Sequence, residues 1–161
     1  MNLFGDADTA PMAYQAKGAR ISDDEGKIYR YQLWRRWEPL PPEGKLKSCL
    51  FIMLNPSTAD GTEDDPTIRR CVDFARRWGF GVMEVVNLFA YRATDPRVVL
   101  GLHRFNIDPV GYQNKRWVQE AAAGAGLIVC AWGTHGAFQG QDRTMKGWLQ
   151  GHDLWALKLT K

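Results

Sequence analysis

The sequence predicts an α/β fold: a single three-layer α/β/α domain with a mostly parallel central sheet and an N-terminal antiparallel β-hairpin at its edge. Two observations predict it. Three short apolar runs, at 50–54, 82–88 and 127–132, are each followed by a polar loop and then by helix signals. Continuous apolar runs of this length suit strands buried on both faces, as in parallel sheets. Ahead of them, two strand-like stretches at 19–22 and 27–37 flank the turn Asp23, Asp24, Glu25, Gly26, which is a hairpin signature.

Residues 1–18 show no clear period and are expected to form a mobile arm, with the domain spanning 19–161. In the second hairpin strand, Tyr29, Tyr31, Leu33, Arg35 and Trp37 fall on one face, and Ile28, Arg30, Gln32, Trp34 and Arg36 on the other. The first set is the more apolar and is expected to face the core. The stretch 38–47, with three prolines and a glycine, is a surface connection. The central apolar run stops at Asn55-Pro56, because proline cannot donate to a ladder. Asp65-Pro66 opens a helix expected over 66–78, with Asp65 as N-cap and Pro66 at the first helical position. Its apolar stripe is Ile68, Cys71, Val72, Ala75 and Trp78, and Gly79 stops it. A second Asp-Pro start at Asp95-Pro96 precedes a short helix near 98–102. Further helices are expected over 112–123 and 143–149, and a last strand over 154–157.

At 161 residues, 45% apolar and 24% charged, the chain is an ordinary soluble single domain. A net charge of +3 permits a polyanionic partner without requiring one. The seven tryptophans supply either core or stacking surface. Cys49, Cys71 and Cys130 are widely spaced and odd in number, which suits buried free thiols in a reducing compartment. Residues 1–11 carry no secretory signature, and no apolar run nears the ~20 residues of a membrane helix. A cytoplasmic protein with no membrane partner is expected.

Ligands of open α/β sheets bind at the carboxyl ends of strands. Three loops leave such ends here. They carry Asn55, Pro56, Ser57 and Thr58; Asn87 with Arg92, Thr94 and Asp95; and Trp132, Gly133 and His135. Asn55 and Asn87 each close an apolar strand, where an amide either orients a ligand or water or caps its own strand. Asp60, Asp64 and Asp65 form an acidic cluster that either holds a cation with phosphate attached or is a solvated loop. Its spacing matches no calcium or magnesium loop, so no metal is expected. Arg69 and Arg70 lie in a first helical turn, where cations are unfavourable unless an acid or a ligand phosphate is near. His103, His135 and His152 are scattered, and only His135 lies in a site loop. Ser57 lacks the G-x-S-x-G context of a hydrolase elbow. Neither a G-x-G-x-x-G nor a G-x-x-x-x-G-K motif occurs, and no cofactor is expected.

The segments M-L-N-P-S-T-A-D (53–60), D-D-P-T-I-R-R-C (64–71), F-A-R-R-W-G (74–79), V-V-N-L-F-A-Y-R-A-T-D-P (85–96) and A-W-G (131–133) resemble an uncharacterised family of bacterial and phage proteins, domain of unknown function sixteen-forty-three. That resemblance spans about residues 27–157 and brings no activity with it. Leu54-Asn55-Pro56-Ser57 is also similar to the strand-end motif of the uracil-DNA glycosylase superfamily, and Trp132-Gly133 to a later strand end. This second resemblance implies that Asn55 orients the attacking water and that a base enters a pocket. The chain departs from that pattern: the flanking glycines are missing, and so is the His-Pro motif that follows the last strand, which would leave a glycosylase site incomplete.

The expectation is a glycosylase-like cleft that acts on or binds a nucleobase, nucleotide or nucleic acid. Asn55 is the catalytic candidate. Pro56, Ser57, Thr58, Asp65, Arg69, Asn87, Arg92, Thr94, Asp95, Trp132 and Gly133 are the binding candidates. The alternative is a non-catalytic module for a small phosphorylated ligand or a protein partner. A basic groove with exposed Trp and Arg would favour nucleic acid. An anion on the backbone N–H groups at 66–68 would favour the alternative.

Overall fold

The computed structural model describes residues 13–58 and 61–158. Its five strands are β1 (Ala16–Ile21), β2 (Arg30–Arg36), β3 (Ser48–Met53), β4 (Val82–Asn87) and β5 (Ala125–Cys130). The helices are α1 (Pro66–Arg77), α2 (Pro96–Gly101), α3 (Asn114–Gly124) and α4 (Gln141–Trp148). All five strands join one sheet in the order β1-β2-β4-β3-β5.

The sheet is mixed, which overturns the expected mostly parallel sheet. β4, β3 and β5 run parallel, but β2 pairs antiparallel with both β1 and β4. The hairpin therefore docks directly on β4, and half of the sheet's four strand pairings are antiparallel. The apolar runs that suggested parallel strands belong to the three strands at one side of the sheet. The last strand expected at 154–157 is also corrected. Trp155 makes a single parallel bridge to Val129, through Cys130 N–H to Trp155 O at 2.7 Å and Trp155 N–H to Ile128 O at 3.0 Å. Of the expected arm, residues 1–12 lie outside the described residues, and residues 16–18 pair with β2.

Apolar clusters cover both faces of the sheet. On one, Ile68, Cys71, Val72 and Ala75 of α1 pack on Leu33, Cys49, Phe51, Met83, Val85 and Val129. On the other, Val118, Ala121 and Ala122 of α3 and Met145 of α4 pack on Leu50, Ile52, Val86 and Ile128. β3 alternates between the two, as strand geometry requires.

The alternation expected through β2 breaks at its start. Arg20 pairs with Gln32 but Ile21 pairs with Arg30, so Tyr31 is an extra residue, a β-bulge. Past a bulge the two faces exchange phase. The ring of Tyr31 stacks on Tyr29 and meets Tyr112 beside α3. Leu33 and Arg35 instead face the α1 side. Arg30 joins them, because its charge feels Asp65, Arg35 and Arg92. The expected partition, which grouped Tyr29 and Tyr31 with Leu33 and Arg35 and Arg30 with Gln32 and Trp34, is thus wrong at Tyr29, Arg30 and Tyr31, and a bulge is why.

No described helix is long and apolar enough to cross a membrane.

Candidate functional site

Because β4, β3 and β5 are parallel neighbours, their carboxyl ends share one edge, and Asn55, Asn87 and Trp132 leave from it. Met53 pairs with Asn87, so Asn55 stands two residues beyond Asn87's partner on the next strand.

Most of the residues expected to bind are engaged in holding these loops. Asn55 donates Nδ2 to the carbonyls of Ala93 (2.9 Å) and Pro56 (3.1 Å), and Ala93 N–H returns a bond to Pro56 O at 2.9 Å. The two loops are thereby clamped, and the amide plane of Asn55 is fixed with Oδ1 accepting no hydrogen bond among the described residues. Asp65 caps α1 by accepting from Ile68 N–H at 2.8 Å, and its other oxygen lies 3.5 Å from Ser57 Oγ. A carboxylate already complements the positive end of that helix, which disfavours a ligand phosphate there. Arg69 donates to the carbonyl of Asp64, which accounts for a cation in the first turn. Arg92 donates to the carbonyls of Lys27 and Thr58, and the exposed hydroxyls of Thr58 and Thr94 meet at 3.1 Å. Asp95 caps α2 through Arg97 N–H (2.9 Å) and pairs with the Arg97 guanidinium.

The loop after β3 is anchored by a residue no pattern in the sequence singled out. Arg35 is fully buried in the α1-side face and pairs with Asp64 at 2.7 Å. Its Nη1 donates to Trp34 O at 2.8 Å, and the Tyr14 hydroxyl donates to the other Asp64 oxygen. Burial, then that hydrogen bond, pushes the Tyr14 phenol well above its ordinary value. Asp64 is therefore a structural anchor, and Asp60 lies outside the described residues. No group of three or more potential metal ligands occurs among the described residues. Gly61 lets the loop close, with φ of +89° and Ala19 Cβ packed where a side chain would be.

Asn87 differs from the rest. It is 2% exposed, and its Oδ1 is buried with no hydrogen-bond partner among the described residues. Following Met83 and Val85, its side chain points to the α1 side of the sheet. On the far side, buried Asn114 donates to the carbonyls of Asn87 (2.9 Å) and Leu88 (3.3 Å), and Gln141 donates to Leu88 O at 3.1 Å. The backbone at the end of β4 is satisfied from behind, and the Asn87 amide oxygen is left without a donor. Arg30, 4% exposed, faces the same side near Arg92. Burial, then the charge of Arg92, lowers the Arg30 guanidinium to about 10.

Three expected residues do not join this arrangement. Trp132, partly buried, packs against the α3-side core, closed over by Gly136. Gly133, with φ of +69°, turns the chain into a 3-10 segment. His135 is exposed in that segment, while His103 packs on Phe138.

A mixed α/β domain with an amide-lined carboxyl edge is the class of protein that fold and site define. Residues 30–161 match the family described as "Protein of unknown function (DUF1643)", and the chain belongs to that family. No curated protein and no solved structure matches it.

Proposed function

We propose that the chain binds a nucleobase-bearing ligand, a nucleotide or a nucleic acid, at the carboxyl edge of β3 and β4. The observation that carries this reading is the buried, unpartnered Oδ1 of Asn87. A buried acceptor left without a donor costs about 1–3 kcal/mol. A base supplies what it lacks, an N–H donor on a flat edge. Asn55 presents a second amide oxygen on the next strand, held rigid through Nδ2. The positive charge of Arg30 and Arg92 on this side favours an anionic ligand. Glycosidic hydrolysis adds one requirement, a water oriented by Asn55 Oδ1, and the fixed amide suits that role. A reducing compartment such as the cytoplasm would suit the three free cysteines, with burial pushing the thiols of Cys49 and Cys71 up to about 12.

Two variants of the full chain test this reading by titration calorimetry against a panel of nucleosides and nucleotides. Asn87→Leu removes the unpartnered oxygen. It should raise stability by about 1 kcal/mol while abolishing binding at the carboxyl edge. Asn55→Ala should weaken binding at least about tenfold, one hydrogen bond's worth. Parental affinity in both variants overturns the reading. Base release from a uracil-containing single strand, lost in Asn55→Ala, extends it to hydrolysis.

A further inference from the structure

The sheet face toward α3 holds a second constellation that the carboxyl-edge reading does not use. Glu84 sits in the middle of β4, paired with Trp34 on one side and Leu50 on the other. Its neighbours along the strand on this face are Val82 and Val86. A carboxylate in such a place is costly to ionise, and burial raises it above its ordinary value. It opens into a groove of about 200 Å³ lined by Ala16, Arg20, Gln32, Trp34, Arg36 and Val82.

The polar groups here are held in order. Arg20 Nε donates to Gln32 Oε1 at 2.9 Å, and Gln32 Nε2 donates to Glu84 Oε2. The Arg20 guanidinium lies 4.1 Å from the centre of the Trp117 ring and 5.8 Å from that of Trp34. Trp34 lies across Gly18, where any side chain would collide with its ring, so the indole is set close against β1. Arg36 is fastened from behind through Glu38 O at 2.7 Å.

We propose that this groove binds a guanine-type base, carried by a nucleotide or a single strand, with Glu84 accepting two adjacent N–H donors and Trp34 supplying the apolar ring contact. A carboxylate has about four acceptor positions, so Gln32 and the Ser48 hydroxyl, which also acts on Glu84, leave room for a bidentate edge. Among the common bases guanine alone places a ring N–H beside an exocyclic amino group. Adenine and cytosine put an acceptor next to the amino group, facing the carboxylate, and uracil flanks its N–H with two carbonyls. Pockets for drug-sized ligands hold about 300–1,000 Å³, so this smaller groove suits one base with its sugar and phosphate outside. Arg20 and Arg36 flank the groove as partners for that phosphate. The site stands apart from the carboxyl edge, because Glu84 and Asn87 face opposite sides of the sheet.

Calorimetry of the full chain with GMP, AMP, inorganic phosphate and two eight-nucleotide single strands, one with guanines and one without, tests this. GMP or the guanine strand should bind at least tenfold more tightly than AMP or the guanine-free strand, and phosphate should bind to neither site measurably. A bound strand with unbound GMP assigns the ligand to nucleic acid; bound GMP assigns it to the nucleotide. Glu84→Gln should lose the preference for guanine with a melting temperature no lower than the parent's. Trp34→Leu should weaken binding of the same probe. Asn87→Leu should leave this binding intact, so the two sites fail separately. Equal binding of GMP and AMP, unaltered binding in Glu84→Gln, or no binding of any guanine probe overturns the proposal.

Discussion

Two helices of this protein begin with the same two letters, Asp-Pro, and the same local rule builds both. Asp65 accepts from Ile68 N–H and Asp95 from Arg97 N–H, each followed by a proline at the first helical position. Each start also has an aspartate–arginine pair beside it, yet the pairs are unlike. Arg35–Asp64 joins a fully buried guanidinium on β2 to the loop before α1. Arg97–Asp95 is a solvent-exposed contact between residues two apart. Identical chemistry thus does different work: the first pair fixes a loop to the sheet, and the second decorates a turn. Burial decides which, because water screens an exposed pair and desolvation makes a buried one costly to break.

The sharpest way to break this comparison is Arg35→Met. It strands Asp64 beneath the loop and should cost about 3–5 kcal/mol in urea unfolding. A loss under 1 kcal/mol would mean that the pair anchors nothing. Asp65→Ala comes next, at about 0.5–2 kcal/mol, the value of a helix cap. If helix stability holds in that variant while nucleotide binding disappears, the capping role assigned to Asp65 is wrong. Glu84→Gln should be slightly stabilising, and only above acid pH. The folded-state value of Glu84 lies above 4.5, so the unfolded chain ionises first as pH rises. Stability is therefore lost between pH 4.5 and the raised folded value, and the variant should be spared that loss. Coincident pH–stability curves for parent and variant would contradict the direction of the shift. Arg97→Ala should leave the unfolding midpoint where it is, and a clear drop would show the exposed pair to be no mere decoration.

Local signals in the sequence are enough for most of the elements and for the edge they share, though not at 154–157, where the expected strand is a single bridge. Three apolar runs, two Asp-Pro starts and the stripe of Ile68, Cys71, Val72 and Ala75 each act within a few residues and are built where the spacing implies, whereas Trp78, expected in that stripe, caps the helix end and is exposed. Asn55 and Asn87 were visible for the same reason, as polar residues at the ends of apolar runs. Long-range pairing was not visible. Nothing in the spacing tells β2 to dock antiparallel on β4, so local patterning reads as mostly parallel a sheet with half its pairings antiparallel. The bulge at Tyr31 inverts the expected sides of Tyr29, Arg30 and Tyr31, since one extra residue exchanges the two faces of a strand. Residue type and spacing determined which groups reach the carboxyl edge. Only the tertiary structure decided their employment, by giving Asp64 and the Asn55 Nδ2 partners from distant strands and loops while leaving the Asn87 oxygen buried without one.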